Sequence, residues 1–170
     1  KRNNVSVSIG SPIENVTGTL FDDRIICNLH NNQITYIGGN DIVDGLAGID
    51  TLRVGSSSSQ FSIKKDSATG YWNVQSSNGT NGVIELRNTE RLLFTDTSWA
   101  LDTEDKQSAA QTAKILGAVF GKDGLSNLSY RGIGLYYLDN GWSYEALTQL
   151  ALDARLGPGA SKEAVAQLLL

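Results

Sequence analysis

The sequence predicts an α+β protein: a short parallel β-roll with antiparallel capping strands, followed by a small α-helical bundle. Three observations predict this fold class. Residues 1–102 are rich in Gly, Ser, Thr and Asn and contain short stretches of alternating apolar and polar residues. A nine-residue repeat runs through residues 14–52, and from about residue 105 the apolar residues change to helical spacing. We therefore predict two domains, 1–102 and 103–170.

Composition and charge limit the function of the chain. At 170 residues it is long enough for one domain or two small ones, and a hydrophobic fraction of 40% supports a buried core. The formal net charge of −4 argues against a nucleic-acid partner and is compatible with cation binding. No apolar run approaches the roughly 18 residues that span a bilayer. Because the chain stops within the apolar helical pattern "EAVAQLLL", we expect a larger parent protein.

Short alternating segments predict strands within residues 1–102. Apolar and polar residues alternate in "VSVSIG" (5–10), "QFSIK" (60–64), "YWNVQ" (71–75) and "VIELR" (83–87). Successive side chains point to opposite faces of a strand, so a half-buried strand shows this period of two. Turn-forming segments separate the strands, and Asn78-Gly79 is a dipeptide typical of tight hairpin turns. We therefore predict an all-β first domain.

A nine-residue repeat underlies residues 14–52. Stepping back from Asp50 by nines meets four more acidic or amide residues: Asp41, Asn32, Asp23 and Glu14. Each of the five is followed after two positions by an aliphatic residue: Val16, Ile25, Ile34, Val43 and Leu52. One such pair arises easily by chance, but five at a constant period do not. We therefore interpret them as a structural repeat.

The repeat has a direct structural interpretation. A short strand centred on the aliphatic residue, followed by a Gly-rich turn, can wind into a flattened coil of parallel strands. Two units make one coil, so Asp23 stacks with Asp41, and Asn32 stacks with Asp50. The aliphatics point inward, and glycine allows positive φ and close packing of the turns. The Asp and Asn oxygens suit a hard cation, which would neutralise carboxylates that otherwise repel each other.

These features resemble the calcium-binding nonapeptide repeats of RTX (repeats-in-toxin, hemolysin-type) proteins. The segment "IENVTGTLFDDRI" is similar to the start of such an array, and "GLAGIDTL" with "LRNTERLLFTDTSWALD" is similar to its capping region. The resemblance implies Ca²⁺ as the bound metal. The metal-site residues that it indicates are Asp23, Asp41, Asp50, Asn32, Gly39 and Gly48.

The repeat departs from the full RTX pattern in its glycines. That pattern has glycine five, four and two residues before each aspartate. Only "GLAGID" keeps the first and third of these, as Gly45 and Gly48, while "CNLHNN" keeps none. We therefore expect at most one good Ca²⁺ site, at Asp23 and Asp41, and a poorer one at Asn32 and Asp50. A fully eroded array that serves as a metal-free scaffold is the alternative.

The resemblance also implies a function. RTX proteins are secreted bacterial proteins, usually exported by a type I system, that fold on meeting millimolar calcium outside the cell. It therefore implies a non-catalytic calcium-binding module in a larger extracellular or cell-surface protein, either an adhesin or an exoenzyme. The implied partners are calcium ions, the remainder of the parent protein, and a glycan or protein on a cell surface.

Helical spacing begins near residue 105. Ala109, Ala113, Leu116 and Phe120 fall at helical intervals, and the segments "SNLSYRGIGLYYLDNG", "SYEALTQLALDARLG" and "SKEAVAQLLL" predict three further helices. Ser143 and Ser161 are predicted caps, and Gly157 is predicted to take the left-handed conformation after the third helix. The short connections predict a compact bundle. The segment resembles a helical domain that follows RTX segments.

Other candidate chemistry is weaker. Cys27 and His30 lie three residues apart, but no third group is present to orient a Cys-His nucleophile, so we predict no enzyme activity. The adjacent acids at 22–23 and 104–105 do not imply a glycosidase pair, because neighbours in a strand point to opposite faces. Two alternatives to the calcium module remain. One is a glycan- or surface-binding module that uses exposed aromatics on a metal-free roll; the other is an accessory domain of a hydrolase.

Overall fold

The computed structural model describes residues 3–6, 13–79 and 82–170, with backbone only for residues 3–6. The chain divides into two compact units, Lys1–Leu101 and Asp102–Leu170. The first contains strands in two mixed sheets, and the second contains four helices. This arrangement is compatible with the predicted α+β class. The alternation predicted at Val7 and Ile9 lies outside the described residues.

The first unit is built from short strands, and all those in the described residues are three to five residues long. In the described residues they are β1 Asn3–Ser6, β2 Asn15–Thr17, β3 Asp23–Ile26, β4 Gln33–Tyr36, β5 Asp41–Asp44, β6 Thr51–Val54, β7 Phe61–Lys65, β8 Trp72–Ser76, β9 Val83–Arg87, β10 Arg91–Leu93 and β11 Ser98–Ala100. A 3₁₀ turn, Ser58–Gln60, precedes β7. One sheet has the order β1-β3-β5-β9-β8-β7, and the other has the order β11-β10-β6-β4-β2.

Consecutive strands of the repeat lie in different sheets, so each sheet receives every second strand. Within a sheet the neighbours are parallel and 18 residues apart: Asn15 pairs with Gln33, Gln33 pairs with Thr51, and Arg24 pairs with Ile42. Parallel neighbours need a long connection, and here that connection contains a strand of the other sheet. The chain therefore crosses from one sheet to the other once in every nine residues.

The strands after the repeat extend both sheets. β9 pairs in parallel with β5, and β8 and β7 then add antiparallel strands. β10 pairs in parallel with β6, and β11 closes that sheet as an antiparallel strand. The segments predicted as strands around residues 60–64, 71–75 and 83–87 correspond to β7, β8 and β9. The β8–β9 loop spans residues 77–82, of which 80 and 81 are outside the described residues, so it is longer than a two-residue turn.

The core of the first unit lies between the two sheets. The five aliphatics of the repeat are buried, as predicted: Val16, Ile25, Ile34, Val43 and Leu52. Ile84, Leu86 and Leu92 from the later strands join the same cluster. Burial of one such side chain contributes about 1.5–3 kcal/mol. The repeat therefore supplies at least one core residue each time the chain crosses from one sheet to the other.

The second unit contains helices α1 Ser108–Ser126, α2 Leu128–Asp139, α3 Tyr144–Leu156 and α4 Lys162–Leu169. Its core contains Ile115, Val119, Leu147 and Ala151. The hydroxyls of Ser143 and Ser161 accept the backbone N–H of Ala146 and Ala164, so both predicted caps are confirmed. Gly157 ends α3 at φ 92° and ψ 155°, so it has the positive φ expected but not the left-handed helical conformation. None of the described helices is long and apolar enough to cross a bilayer.

Truncation of a repeat aliphatic tests the origin of the stability of the first unit. Ile34→Ala should lower the free energy of unfolding by about 2–5 kcal/mol, because Ile34 is 1% exposed and its truncation leaves a cavity in the core. Ile37→Ala is the matched control, since Ile37 is 45% exposed, and it should change stability by less than about 0.5 kcal/mol. Urea denaturation of both variants measures the difference, and equal losses would contradict a core at Ile34.

Candidate functional site

Two rows of polar side chains lie at the beginnings of the repeat strands. The first row contains Asp23 and Asp41, which open β3 and β5. The second row contains Asn32, Asp50 and Glu90, which immediately precede β4, β6 and β10. The four predicted members are almost completely buried, with exposures of 2% for Asp23, 3% for Asn32, 3% for Asp41 and 0% for Asp50. The structure therefore brings the predicted pairs together inside the protein.

Three of the acids, Asp41, Asp50 and Glu90, each accept the backbone N–H of the preceding member of their row. Asp41 Oδ1 lies 2.9 Å from the nitrogen of Asp23, and Asp50 Oδ1 lies 2.7 Å from the nitrogen of Asn32. Glu90 Oε2 lies 2.8 Å from the nitrogen of Asp50 and so continues the second row. Buried N–H groups need an acceptor, and an ionised acceptor makes the stronger bond. The rows therefore link neighbouring strands of each sheet whether or not a ligand is bound.

Sequence reasoning missed Glu90. It lies 40 residues after Asp50, because a hairpin is inserted between β6 and the later strands, so counting by nines cannot reach it. A local signal was present, since Leu92 follows Glu90 by two positions, as an aliphatic residue follows each acid of the repeat. Leu92 is fully buried, like its counterparts in the repeat.

The first row has oxygens that converge beside Gly18. A Cβ placed on Gly18 would lie 3.1 Å from Asp23 Oδ2, 3.6 Å from the Thr35 carbonyl oxygen and 3.9 Å from Asp41 Oδ2. The backbone N–H and hydroxyl of Thr19 also donate to the Asp23 carboxylate, at 2.6 and 3.0 Å to Oδ2. Carboxylate and carbonyl oxygens are the donors that Ca²⁺ and Mg²⁺ prefer. The absence of a side chain on Gly18 keeps this space open.

The second row contains a buried carboxylate oxygen that has no hydrogen-bond partner, Asp50 Oδ2. A Cβ on Gly45 would lie 2.5 Å from this oxygen and 2.0 Å from the carbonyl oxygen of Asn88, so both oxygens face Gly45. The amide of Asn88 donates to Asp44 Oδ1 at 2.8 Å, which holds the Asn88 carbonyl in place. An unpartnered carboxylate oxygen in a buried site is costly unless it is protonated or meets a cation.

Asn32 differs from the acids because its amide uses both ends in hydrogen bonds. Its Oδ1 accepts the backbone N–H of Asn28 at 3.3 Å, and its Nδ2 donates to the Ile13 carbonyl oxygen at 3.2 Å. The Asn28 side chain donates to the same carbonyl at 2.9 Å. At Asn32 a neutral amide N–H therefore meets the Ile13 carbonyl oxygen, and no charge needs a counter-ion there.

Burial raises the pKa of Asp41 and of Asp50. The pKa of Asp41 rises from 3.8 to about 6, mainly through loss of solvent; the N–H of Asp23 opposes the shift, and the charges of Asp23 and Asp22 add to it. The pKa of Asp50 rises from 3.8 to about 7, again mainly through burial, with the N–H of Asn32 opposing and Glu90 and Asp44 adding. These causes include no cationic side chain. A bound cation would lower both pKa values.

Gly39 and Gly48 have a packing role in the turns. Their φ values are 101° and 122°, and a Cβ would lie 2.5 Å from the Phe21 backbone at Gly39 and 2.8 Å from the His30 backbone at Gly48. Turns 18 residues apart therefore touch through backbone atoms, and only glycine combines this contact with positive φ.

The remaining sequence candidates lie apart from the rows. Cys27 is fully buried, and burial is the main cause that raises the pKa of its thiol to about 12, so it is not a thiolate at neutral pH. His30 is exposed in a turn. Asp22 accepts the backbone N–H of Asn40 at 2.9 Å, and Asp105 forms an ion pair with Lys114.

No family model matches this chain, and no curated protein matches it. Within residues 13–79 and 82–170, no three His, Cys, Asp or Glu residues are grouped so that they could hold a metal ion by themselves. A cation in either row would therefore need backbone carbonyl and water oxygens in addition to the carboxylates.

The stability of the metal-free chain should fall as pH rises. The folded-state pKa values of Asp41 and Asp50 are raised to about 6 and about 7, so the folded state holds these protons more tightly than the unfolded state. Their contribution is complete below the ordinary value of 3.8 and is lost as pH rises through the folded values. Thermal melts in EDTA should show a loss of more than about 1 kcal/mol across this window.

Asp50→Asn isolates the second row. It should remove the part of the pH dependence between about 6 and about 7, where Asp41 is already ionised. Asp123→Asn, at an exposed position outside both rows, should leave the slope unchanged. A flat pH profile for the unmodified chain would contradict buried, uncompensated carboxylates.

Gly45→Ala tests the close approach in the second row. The added Cβ meets Asn88 O and Asp50 Oδ2 at distances that force one of them to move, which should cost about 1–3 kcal/mol of unfolding free energy. Gly55→Ala is the control, because nothing lies within 4 Å of its Cβ position. Urea denaturation should separate the two variants, and equal effects would show that the oxygens do not face Gly45.

Proposed function

We propose that the first unit is a non-catalytic structural module, a short β-roll of RTX type that is stabilised by Ca²⁺. The observation that carries this proposal is the buried Asp50 carboxylate, whose Oδ2 has no hydrogen-bond partner and lies, with the Asn88 carbonyl oxygen, beside Gly45. The parallel pairing of residues 18 apart and the alternation of strands between two sheets support the roll.

The donor chemistry favours a hard cation. One carboxylate oxygen of Asp41 and one of Asp50 already accept a backbone N–H, so the second oxygen of each is left for an ion. In the first row, Asp23 and Asp41 would hold the ion together with the Thr35 carbonyl beside Gly18. In the second row, Asp50 would hold it with the Asn88 carbonyl. Ca²⁺ accepts irregular sets of six to eight oxygens more readily than Mg²⁺ does, and water would complete the set.

The role of the ion is to make folding of the first unit depend on the calcium concentration around the protein. A ligand that binds only the folded state stabilises it by RT ln(1 + [L]/Kd). For a weak extracellular-type site with a Kd of roughly 0.1–1 mM, this is on the order of 1 kcal/mol per site at millimolar calcium. We therefore propose that the chain is part of a larger secreted bacterial protein, loosely folded in low calcium and stable outside the cell.

The glycan-binding alternative finds less support in the first unit. A sugar-binding strip needs neighbouring exposed aromatic rings. Among the described residues of this unit the exposed aromatics are Phe21 and Trp99. Phe21 lies in the loop after β2, and Trp99 is on β11, and these two strands are the opposite edges of the five-stranded sheet. They do not form one continuous strip on that sheet.

A calcium titration of the EDTA-treated full chain tests the proposed function. Millimolar Ca²⁺ should raise the melting temperature of the first unit by several degrees at pH 7.5, on the scale of about 4–8 °C per kcal/mol for a domain of this size. Calorimetry should show saturable binding, and Mg²⁺ should have a smaller effect.

Variants connect the calcium effect to the rows. Asp41→Asn should abolish most of the calcium-induced stabilisation, while Asp123→Asn should retain it. Asp50→Asn should raise the stability of the metal-free chain, because it removes a buried charge and its amide can donate to the Asn88 carbonyl. Equal melting temperatures in EDTA and in calcium, without heat of binding, would overturn the proposal.

A further inference from the structure

Two turns that are far apart in sequence stack on each other at the end of the repeat. The chain crosses from β5 to β6 through residues 45–50, the Asp50 turn, and from β9 to β10 through residues 88–90, the Asn88 turn. β9 pairs in parallel with β5, and β10 pairs in parallel with β6, so the two turns connect neighbouring strands in both sheets. The hairpin of β7 and β8 lies between the turns in sequence. The Asn88 turn is therefore the next crossing of the chain after the Asp50 turn.

Hydrogen bonds from backbone amides join the two turns. The amides of Glu90 and Arg91 both donate to the Asp50 carbonyl oxygen, at 3.1 and 2.9 Å. The amide of Gly45 donates to the Arg87 carbonyl oxygen at 3.0 Å, at the point where β9 ends. An amide exchanges its hydrogen with water when its hydrogen bond opens. These three amides therefore report whether the two turns are in contact.

One point of this contact is not satisfied by hydrogen bonds. Asp50 is 0% exposed, and its Oδ2 has no hydrogen-bond partner. A Cβ on Gly45 would lie 2.5 Å from this oxygen and 2.0 Å from the Asn88 carbonyl oxygen, so one acceptor from each turn lies beside Gly45. Two oxygen acceptors that are buried close together cost free energy unless a donor or a cation lies between them. This point therefore weakens the contact between the turns when no cation is bound.

The backbone on both sides of this point has an uncommon conformation. Asn88 has φ 45°, and Leu46, the residue after Gly45, has φ 67°. Positive φ is uncommon for residues other than glycine, and it is costly for a bulky side chain. Asp44 Oδ1 accepts the side-chain amide of Asn88 at 2.8 Å and the backbone amide of Leu46 at 3.2 Å. Asp44 therefore holds both turns in the conformation that brings their oxygens to Gly45.

We infer that Asp50 Oδ2 and the Asn88 carbonyl oxygen hold one cation between the two turns, so that the attachment of β10 and β11 to the repeat depends on calcium. The inference rests on the proposed function and concerns the ion of the second row alone. Ca²⁺ accepts both carboxylate and backbone carbonyl oxygens, so it suits this mixed pair. An ion at Asp23 and Asp41 would join two strands within the repeat and would leave the Asn88 turn unaffected.

Amide hydrogen exchange in the full chain, followed by NMR at pH 7.5, tests the inference. For a site with a Kd of roughly 0.5 mM, about 5 mM Ca²⁺ should slow the exchange of the Gly45, Glu90 and Arg91 amides about tenfold relative to EDTA. The Leu147 amide, which donates to the Ser143 carbonyl oxygen in the helical unit, is the internal control and should not respond to calcium.

Substitutions in the two rows should separate the effects of the two sites. Asp50→Asn replaces the unpartnered oxygen by an amide that can donate to the Asn88 carbonyl oxygen. The Glu90 and Arg91 amides should then exchange slowly even in EDTA, and calcium should slow them by less than about twofold. Asp41→Asn should keep the tenfold response of these amides, although it removes most of the calcium-induced rise in melting temperature.

Asn88→Gly is a second test, and it leaves the Asp50 carboxylate intact. Glycine takes φ 45° without strain, but the amide that donates to Asp44 is lost, so the Asn88 carbonyl is held less firmly. The calcium concentration that gives half of the protection should rise about fivefold, which corresponds to the loss of one hydrogen bond. Lys106→Gly is the matched control, because Lys106 is exposed, has φ 71° and lies in the other unit.

Two results would overturn the inference and leave the proposed function intact. The first is saturable binding of calcium in calorimetry with no slower exchange of the Gly45, Glu90 and Arg91 amides. The second is fast exchange of these amides in Asp50→Asn in EDTA, which would show that the side chain at position 50 does not reach the Asn88 carbonyl oxygen. Absence of calcium binding in calorimetry would overturn the proposed function and this inference together.

Discussion

The first unit depends on one interaction, the hydrogen bond from a backbone N–H to the carboxylate at the beginning of the next strand in the same sheet. Asp41 accepts the N–H of Asp23, Asp50 accepts that of Asn32, and Glu90 accepts that of Asp50. Each bond ties the beginning of one strand to the beginning of the next in the same sheet. The acids are thereby fixed in buried positions where an ionised group is poorly solvated.

That constraint places two opposing demands on the same residues. The backbone N–H favours an ionised acceptor, whereas burial favours the neutral form and raises the pKa of Asp50 to about 7. A neutral amide is one way to satisfy both, and Asn32 shows it, since its amide reaches the Ile13 carbonyl. A cation is another, and Gly18 and Gly45 leave space next to Asp23 Oδ2 and Asp50 Oδ2. The proposed calcium dependence follows from this second solution.

The helical unit also contains a buried polar atom without a hydrogen-bond partner. Its core is apolar, its helix starts are capped by Ser143 and Ser161, and its one conspicuous unsatisfied group among the described residues is the Thr112 hydroxyl. In both units a buried oxygen without a partner lies beside a glycine, Gly45 in one and Gly134 in the other. The two oxygens differ in charge, because one belongs to a carboxylate and the other to a hydroxyl.

The sequence by itself determined the periodic part of this protein. The aliphatics of the repeat, the pairing of Asp23 with Asp41 and of Asn32 with Asp50, and the helix caps could all be predicted, because each depends on local spacing. Only the tertiary structure decided that Glu90 continues the second row, since an inserted hairpin separates it from Asp50 by 40 residues. It also decided that Asp50 has an unpartnered oxygen and that Thr112 faces Gly134. Such contacts depend on how close two distant segments of backbone approach, and no local pattern of residue types encodes that distance.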